Sequence, residues 1–231
     1  NDTEALGRAT ADVYFDGKLF LHQLPSGVHV QDSQNIISNV LTFRGLSPSS
    51  AGGKLSDVDR AINHVVLNKR IDGAASCAFY PKGLFHYGGK QVFNTHTIEA
   101  LSPAPVSEKT QWGAAGGFPF LSEFFDSFFS PAEPQQQHFL SWLQYFYRSC
   151  LERSPRSGHG VFIVGPTNTG KGFLSEGIVG KMVGGFQDGN EYLAGKDSFN
   201  SEMFDHALWV IGDGTSLSNE HVHRLFSENV K

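Results

Sequence analysis

The sequence predicts an α/β protein: a parallel-sheet core around a phosphate-binding loop, preceded by a small α+β domain and a helical collar. Three observations predict it. Residues 161–172, VFIVGPTNTGKG, run from a β-branched apolar stretch into a glycine-rich turn that ends at Lys171. A second apolar run, Ala207-Leu208-Trp209-Val210-Ile211, leads into Gly212-Asp213-Gly214-Thr215, with Asp213 42 residues beyond Lys171. Upstream, strand-like and helix-like periods alternate over the first hundred residues and then give way to a Pro/Gly-rich stretch.

Composition bounds the rest. The chain has 231 residues, 39% of them hydrophobic and 18% charged, which excludes a wholly disordered chain. At roughly 100–200 residues per domain, that length holds one large or two small domains. Eighteen Lys and Arg against 23 Asp and Glu give a net charge of −5, so no global positive field marks a duplex-coating protein. Two cysteines 73 residues apart, Cys77 and Cys150, suit reduced core thiols better than a bridge. No apolar run reaches the roughly 18–20 residues that span a bilayer, and the N-terminus lacks the order of a secretory signal; the expected location is intracellular. Asn1-Asp2-Thr3 has the letters of a glycosylation acceptor but is read as a fragment boundary.

Residues 12–31 are rich in Val, Tyr, Phe and Leu and are broken by Asp16-Gly17 and Pro25-Ser26-Gly27, which predicts a small antiparallel sheet. Ile36, Ile37, Val40 and Leu41 predict a helix over about 34–45, stopped by Gly45. Ser56 before Asp57 and Asp59 is an N-cap pattern, and Val58, Ile62, Val65, Val66 and Ile71 carry a second helix toward Asp72-Gly73. Short strands are expected at Cys77–Tyr80, Leu84–Tyr87 and Gln91–Phe93. Residues 102–119 read as a linker. The phenylalanines of 118–129 and the stripe Phe139, Leu140, Leu143, Phe146, Tyr147, Cys150 and Leu151 read as core packing in preference to base stacking. Arg148, Arg153 and Arg156 read as a solvated helix end in preference to a phosphate contact.

The spacing Gly165-x-x-x-x-Gly170-Lys171, with a strand before it and a helical pattern over 173–183 after it, is a phosphate-binding loop. Glycines let backbone amides close around phosphate oxygens, the helix N-terminus adds positive potential, and the lysine reaches the terminal phosphates. Asp213 at the end of the second strand is placed to serve a metal ion or the attacking water.

These two motifs, the wording GPTNTGKG, and Phe199-Asn200 followed by Phe204 and Ala207 resemble superfamily 3 helicases, in particular the phage and poxvirus primase-helicases. The likeness is strong over 158–215 and weak before 110; upstream of the loop, Val92-Phe93-Asn94-Thr95 and then a helix at Phe139–Leu151 resemble the family's approach to it. It implies a P-loop NTPase of the AAA+ type, assembled as a hexameric ring that hydrolyses ATP with Mg²⁺ and translocates on single-stranded DNA, with a primase or polymerase as a further partner. On that likeness Gly165, Pro166, Thr167, Asn168, Thr169, Gly170, Lys171, Gly172 and Phe173 hold the nucleotide, Lys171 and Asp213 are catalytic, and Asp213 also serves the metal.

Three departures bear on activity. Gly172 stands where the family has a Ser or Thr that places a hydroxyl on Mg²⁺. Gly212 stands at the first of two adjacent acids. The polar sensor and arginine finger expected downstream are not in the sequence, so the core is read as cut short. The expected organisation is an α+β domain over 1–110, a linker and collar over 111–157, and the NTPase core over 158–231. A degenerate, weakly or non-hydrolysing nucleotide-binding module acting in assembly or in DNA or partner binding is the alternative, and a non-catalytic interaction module that oligomerises or docks a partner through 118–129 is another.

Other chemistries find less support. His221-x-His223 is the only close histidine pair and there is no HExxH, so a zinc site is not expected. No G-x-S-x-G announces a serine hydrolase. A small-molecule kinase would need an Arg-bearing lid after the loop, and residues 184–205 contain no arginine. From 158 onward five Lys and Arg face nine Asp and Glu, a net of −4, which argues against independent duplex binding, although a ring can gather one basic loop from each subunit.

Overall fold

The computed structural model describes residues 2–50, 52–105, 117–130, 133–193 and 201–212 of a mixed α/β chain with small sheets. It divides into two units: Asn1–Cys77 with Pro81–Thr97, and Ala78–Tyr80 with Ile98–Lys231.

Turn chemistry builds the first sheet. After helix α1 (Asp2–Ala9), strands β1 (Tyr14–Phe15), β2 (Phe20–Gln23) and β3 (His29–Asp32) pair antiparallel in that order. Asp16 Oδ1 accepts from the amides of Lys18 and Leu19 at 2.8 and 2.7 Å, while Gly17 takes a φ of +95° that closes the turn. Helix α2 (Gln34–Phe43) ends as expected: Gly45 adopts a φ of +94° and the Leu46 amide reaches back to Leu41 O at 3.1 Å. Helix α3 (Asp57–Asn68) is capped by Ser56, whose Oγ accepts from the Asp59 amide at 3.1 Å. The buried faces of these helices, Ile37 and Leu41 with Val58, Ala61, Ile62 and Val65, close over Val13 and Phe20. Burial would raise the Asp12 pKa, but Arg44 at 2.6 Å and the Gln23 amide outweigh it and hold the carboxyl below its ordinary range.

Helix α3 stops earlier than its periodicity suggests. The Lys69 ammonium folds over the Tyr14 ring and donates to Ala11 O, and the Ile71 amide pairs with Phe15 O at 2.8 Å, so sheet pairing captures the backbone before Gly73. A second sheet follows in the order β4 (Gly73–Ala75), β6 (Lys90–Asn94), β5 (Gly83–Tyr87), with β4 and β6 parallel and the β5–β6 hairpin closed by Gly88 and Gly89 at positive φ. The strand expected at 77–80 is a turn instead. Its flanks are taken by one side chain: Asn94 Oδ1 accepts from the Cys77 amide at 3.0 Å, and Nδ2 donates to Cys77 O and Pro81 O at 2.9 and 3.1 Å. The apolar letters of that segment are outweighed by the hydrogen bonds open to it.

The second unit holds α4 (Pro119–Phe129), α5 (Glu133–Glu152), a π-helix (Phe173–Gly180), and the parallel pair β7 (Gln187–Asp188) and β8 (Trp209–Val210). Phe125, Phe139, Leu174 and Val179 are its buried core, with Phe124, Phe128, Phe129, Trp142 and Phe146 packed around them. Core packing is therefore the role of most of the aromatic segment, which leaves Phe120 64% exposed. The three arginines are tied to carboxylates: Arg148 and Arg156 to Glu152, and Arg153 to Glu99 at 3.0 Å. Among the described residues no helix is long and apolar enough to cross a membrane.

Both cysteines are free. Burial pushes the Cys150 thiol up to about 12, so at pH 8 its thiolate fraction is on the order of 10⁻⁴. Mass spectrometry after iodoacetamide treatment at pH 8 is expected to find Cys150 unmodified in the folded chain and alkylated in denaturant; rapid native modification would contradict its burial.

Candidate functional site

Gly165-Pro166-Thr167-Asn168-Thr169-Gly170-Lys171 forms an exposed loop that enters a helix directly. Two residues set its shape. Asn168 takes a φ of +62° and Gly170 one of +89°, and helical backbone begins at Lys171, with the Leu174 amide bonded to Gly170 O at 2.9 Å. Asparagine and glycine are the residues that accept this left-handed geometry at least cost. Thr169 Oγ1 donates to Pro166 O at 3.0 Å across the loop.

The lysine folds back over this turn. Lys171 Nζ donates to Gly165 O at 2.8 Å and to Pro166 O at 2.6 Å. Among the described residues no carboxylate forms an ion pair with it. A cation held by two exposed neutral carbonyls beside a helix N-terminus has no carboxylate among the described residues to displace before it meets an anion. The loop thus fits a phosphate-bearing ligand in its donor set.

The metal side is thinner. Gly172 lies in ordinary helical backbone (φ −64°, ψ −37°) and has no hydroxyl to offer. The next hydroxyl, Ser175 Oγ, is bonded back to Lys171 O at 3.1 Å. Glu176 reaches over Gly172, with Oε1 3.7 Å from where a Cβ there would stand. No cluster of three or more His, Cys, Asp or Glu able to hold a metal occurs among the described residues. Asp213, the carboxylate assigned to metal and water, lies outside the described residues, as do His221 and His223. Its neighbour Gly212 is described: its amide donates to Asn190 Oδ1 at 3.1 Å, at the end of β8.

The run that leads into the loop differs from expectation. Among the described residues no strand pairs with 161–164; Ile163 turns toward the core while Phe162 is 87% and Val164 95% exposed. The alternation is that of a strand, but a strand's hydrogen bonds come from neighbours that its own period cannot supply. It lines a groove of about 1430 Å³ together with Phe128, Trp142, Tyr145, Gly165, Thr169 and Lys171. Sequence reasoning did not foresee that α4 touches the loop: Phe124 packs against Gly170 and Phe173. The aromatic spacing showed a helix face and held no signal for what that face meets.

No protein family, curated protein sequence or solved structure matches the chain.

Proposed function

We propose that the chain is a P-loop nucleoside triphosphatase of superfamily 3 helicase type, which hydrolyses ATP to translocate as a ring on single-stranded DNA. The observation that carries this reading is the Gly165–Lys171 loop, whose lysine ammonium rests on the loop's own carbonyls with no carboxylate partner among the described residues. In this reading the amides at the start of the helix and Lys171 take the charge of the β- and γ-phosphates, and Asn168 and Gly170 hold the loop open-handed toward them. Asp213, three residues past the end of β8, serves the metal or orients the attacking water. Mg²⁺ supplies charge neutralisation on the triphosphate and keeps several waters of its own. Calorimetric titration with ATP and Mg²⁺ is expected to show saturable binding; a folded chain giving no heat overturns the reading. DNA-stimulated hydrolysis tests the helicase part.

A second reading, a nucleotide-binding module that does not turn over, is favoured by Gly172 and Gly212. The two readings separate on Gly172→Ser. The helical backbone accepts serine, and the nearest atom to its Cβ, Glu176 Oε1 at 3.7 Å, leaves room. If a missing metal ligand limits turnover, kcat for ATP is expected to rise about tenfold with the Mg²⁺ requirement shifted to lower concentration. An unchanged rate and Mg²⁺ dependence would count against metal placement as the limit, and no hydrolysis by either protein would assign the chain to the non-hydrolysing class.

A further inference from the structure

We propose that Phe124 is a positioning residue of the phosphate loop, its ring edge holding the Gly170 corner in the shape that receives phosphate. This rests on the reading of 165–171 as a phosphate site and extends it to a residue 46 positions before Gly170 in sequence.

The contact is close. A Cβ built on Gly170 would lie 3.1 Å from Phe124 Cε2 and 3.5 Å from Cζ, so the ring edge occupies the space a side chain would need. Gly170 is therefore constrained twice, by a φ of +89° that disfavours any other residue and by the ring against its Cα. Phe124 also stands perpendicular to Phe173, with centroids 5.2 Å apart and planes at 85°. It thus touches the chain immediately before and shortly after Lys171 and Gly172. Phe173 is itself seated, its Cδ2 2.9 Å from where a Cβ on Gly177 would be. Phe125, 3% exposed, anchors α4 in the core beside Phe139 and Leu174, which gives Phe124 a fixed base.

A residue that only filled volume could be replaced by another apolar group at the cost of stability alone. Phe124 instead abuts a glycine corner that has many other conformations open to it, so the ring narrows that choice. Shortening the ring frees that corner, and a loop that must be ordered on binding holds its ligand less tightly than one already shaped.

The experiment compares F124L with F125L in the full chain, reading dissociation constants for Mg-ATP and for inorganic tripolyphosphate by calorimetry and melting temperature by circular dichroism. Both variants are expected to melt lower. F124L alone is expected to bind both ligands about tenfold more weakly, because the defect lies in the phosphate cradle, while F125L stays within twofold of wild type. Equal affinity in F124L and wild type, or equal losses in F124L and F125L, overturns the assignment. Absence of binding by the wild-type chain overturns the phosphate-site reading and this inference with it. If F124L fails to fold, hydrogen exchange on the wild-type chain decides: ATP is expected to slow exchange across 119–129 as well as 165–172, and protection confined to the loop overturns the coupling.

Discussion

Lys171→Ala is expected to weaken ATP binding at least about 100-fold while leaving the melting temperature within about 2 °C of wild type. The two halves of this expectation come from different contacts. In the free chain the ammonium donates to Gly165 O and Pro166 O, both on exposed residues, so water replaces it there and little stability is lost. In the proposed ATP complex it would face phosphate oxygens, and charge-assisted bonds of that kind are worth roughly 1.5–3 kcal/mol each. Two such bonds cover a 100-fold loss. Lys171→Arg is expected to recover little, because the guanidinium is planar and longer and the turn is fitted to a compact ammonium. Calorimetry and thermal melts on the three proteins decide the matter. A large drop in melting temperature with Lys171→Ala would mean that the lysine is a structural strut of the loop, and the case for a nucleotide site would lose its central residue.

What could be read from sequence follows from the range of the forces involved. The Ser56 cap, the Gly45 stop and the Asp16-Gly17 turn are local, each settled by a side chain and the few backbone groups beside it, and each stands where expected. The loop and the helix after it are legible for the same reason: glycine spacing and a lysine are a local pattern. The helix takes π geometry over Phe173–Gly180, which no periodicity announced. Misreadings arise where a distant partner decides. Cys77–Tyr80 has strand-like letters, yet Asn94, at the far end of a hairpin, claims its flanking backbone groups. Arg153 looked like one of a solvated trio, yet it ends on Ile98 O and Glu99, more than fifty residues away in sequence. The contact of Phe124 with Gly170 belongs to the same class, since neither residue type predicts the other.

Asn94 carries the largest expected effect on stability. It is 2% exposed, and both ends of its amide bond to backbone: Oδ1 accepts from the amides of Cys77 and His96, both at 3.0 Å, and Nδ2 donates to Cys77 O and Pro81 O. Asn94→Ala strands those groups. At roughly 1–3 kcal/mol for each buried group left unpaired, and with water able to reach the exposed Pro81, the loss is expected to be about 3 kcal/mol. For a unit of this size that is a fall of about 12 °C or more in its melting temperature, resolved by scanning calorimetry. Asn94→Asp makes the argument sharper, because the shape is kept while two donors become acceptors. At pH 7 the carboxylate would face two carbonyls, so the variant is expected to be no more stable than alanine. Those carbonyls favour the protonated acid, whose hydroxyl can donate to one of them, so the folded-state pKa of the introduced carboxyl rises above its unfolded value. A raised folded pKa means that the relative stability of Asn94→Asp recovers as pH falls toward 4 and is lost again as pH rises through the folded value. Alanine has no such dependence. If the two variants track each other from pH 4 to 8, the amide's donors are not what holds the 77–80 turn.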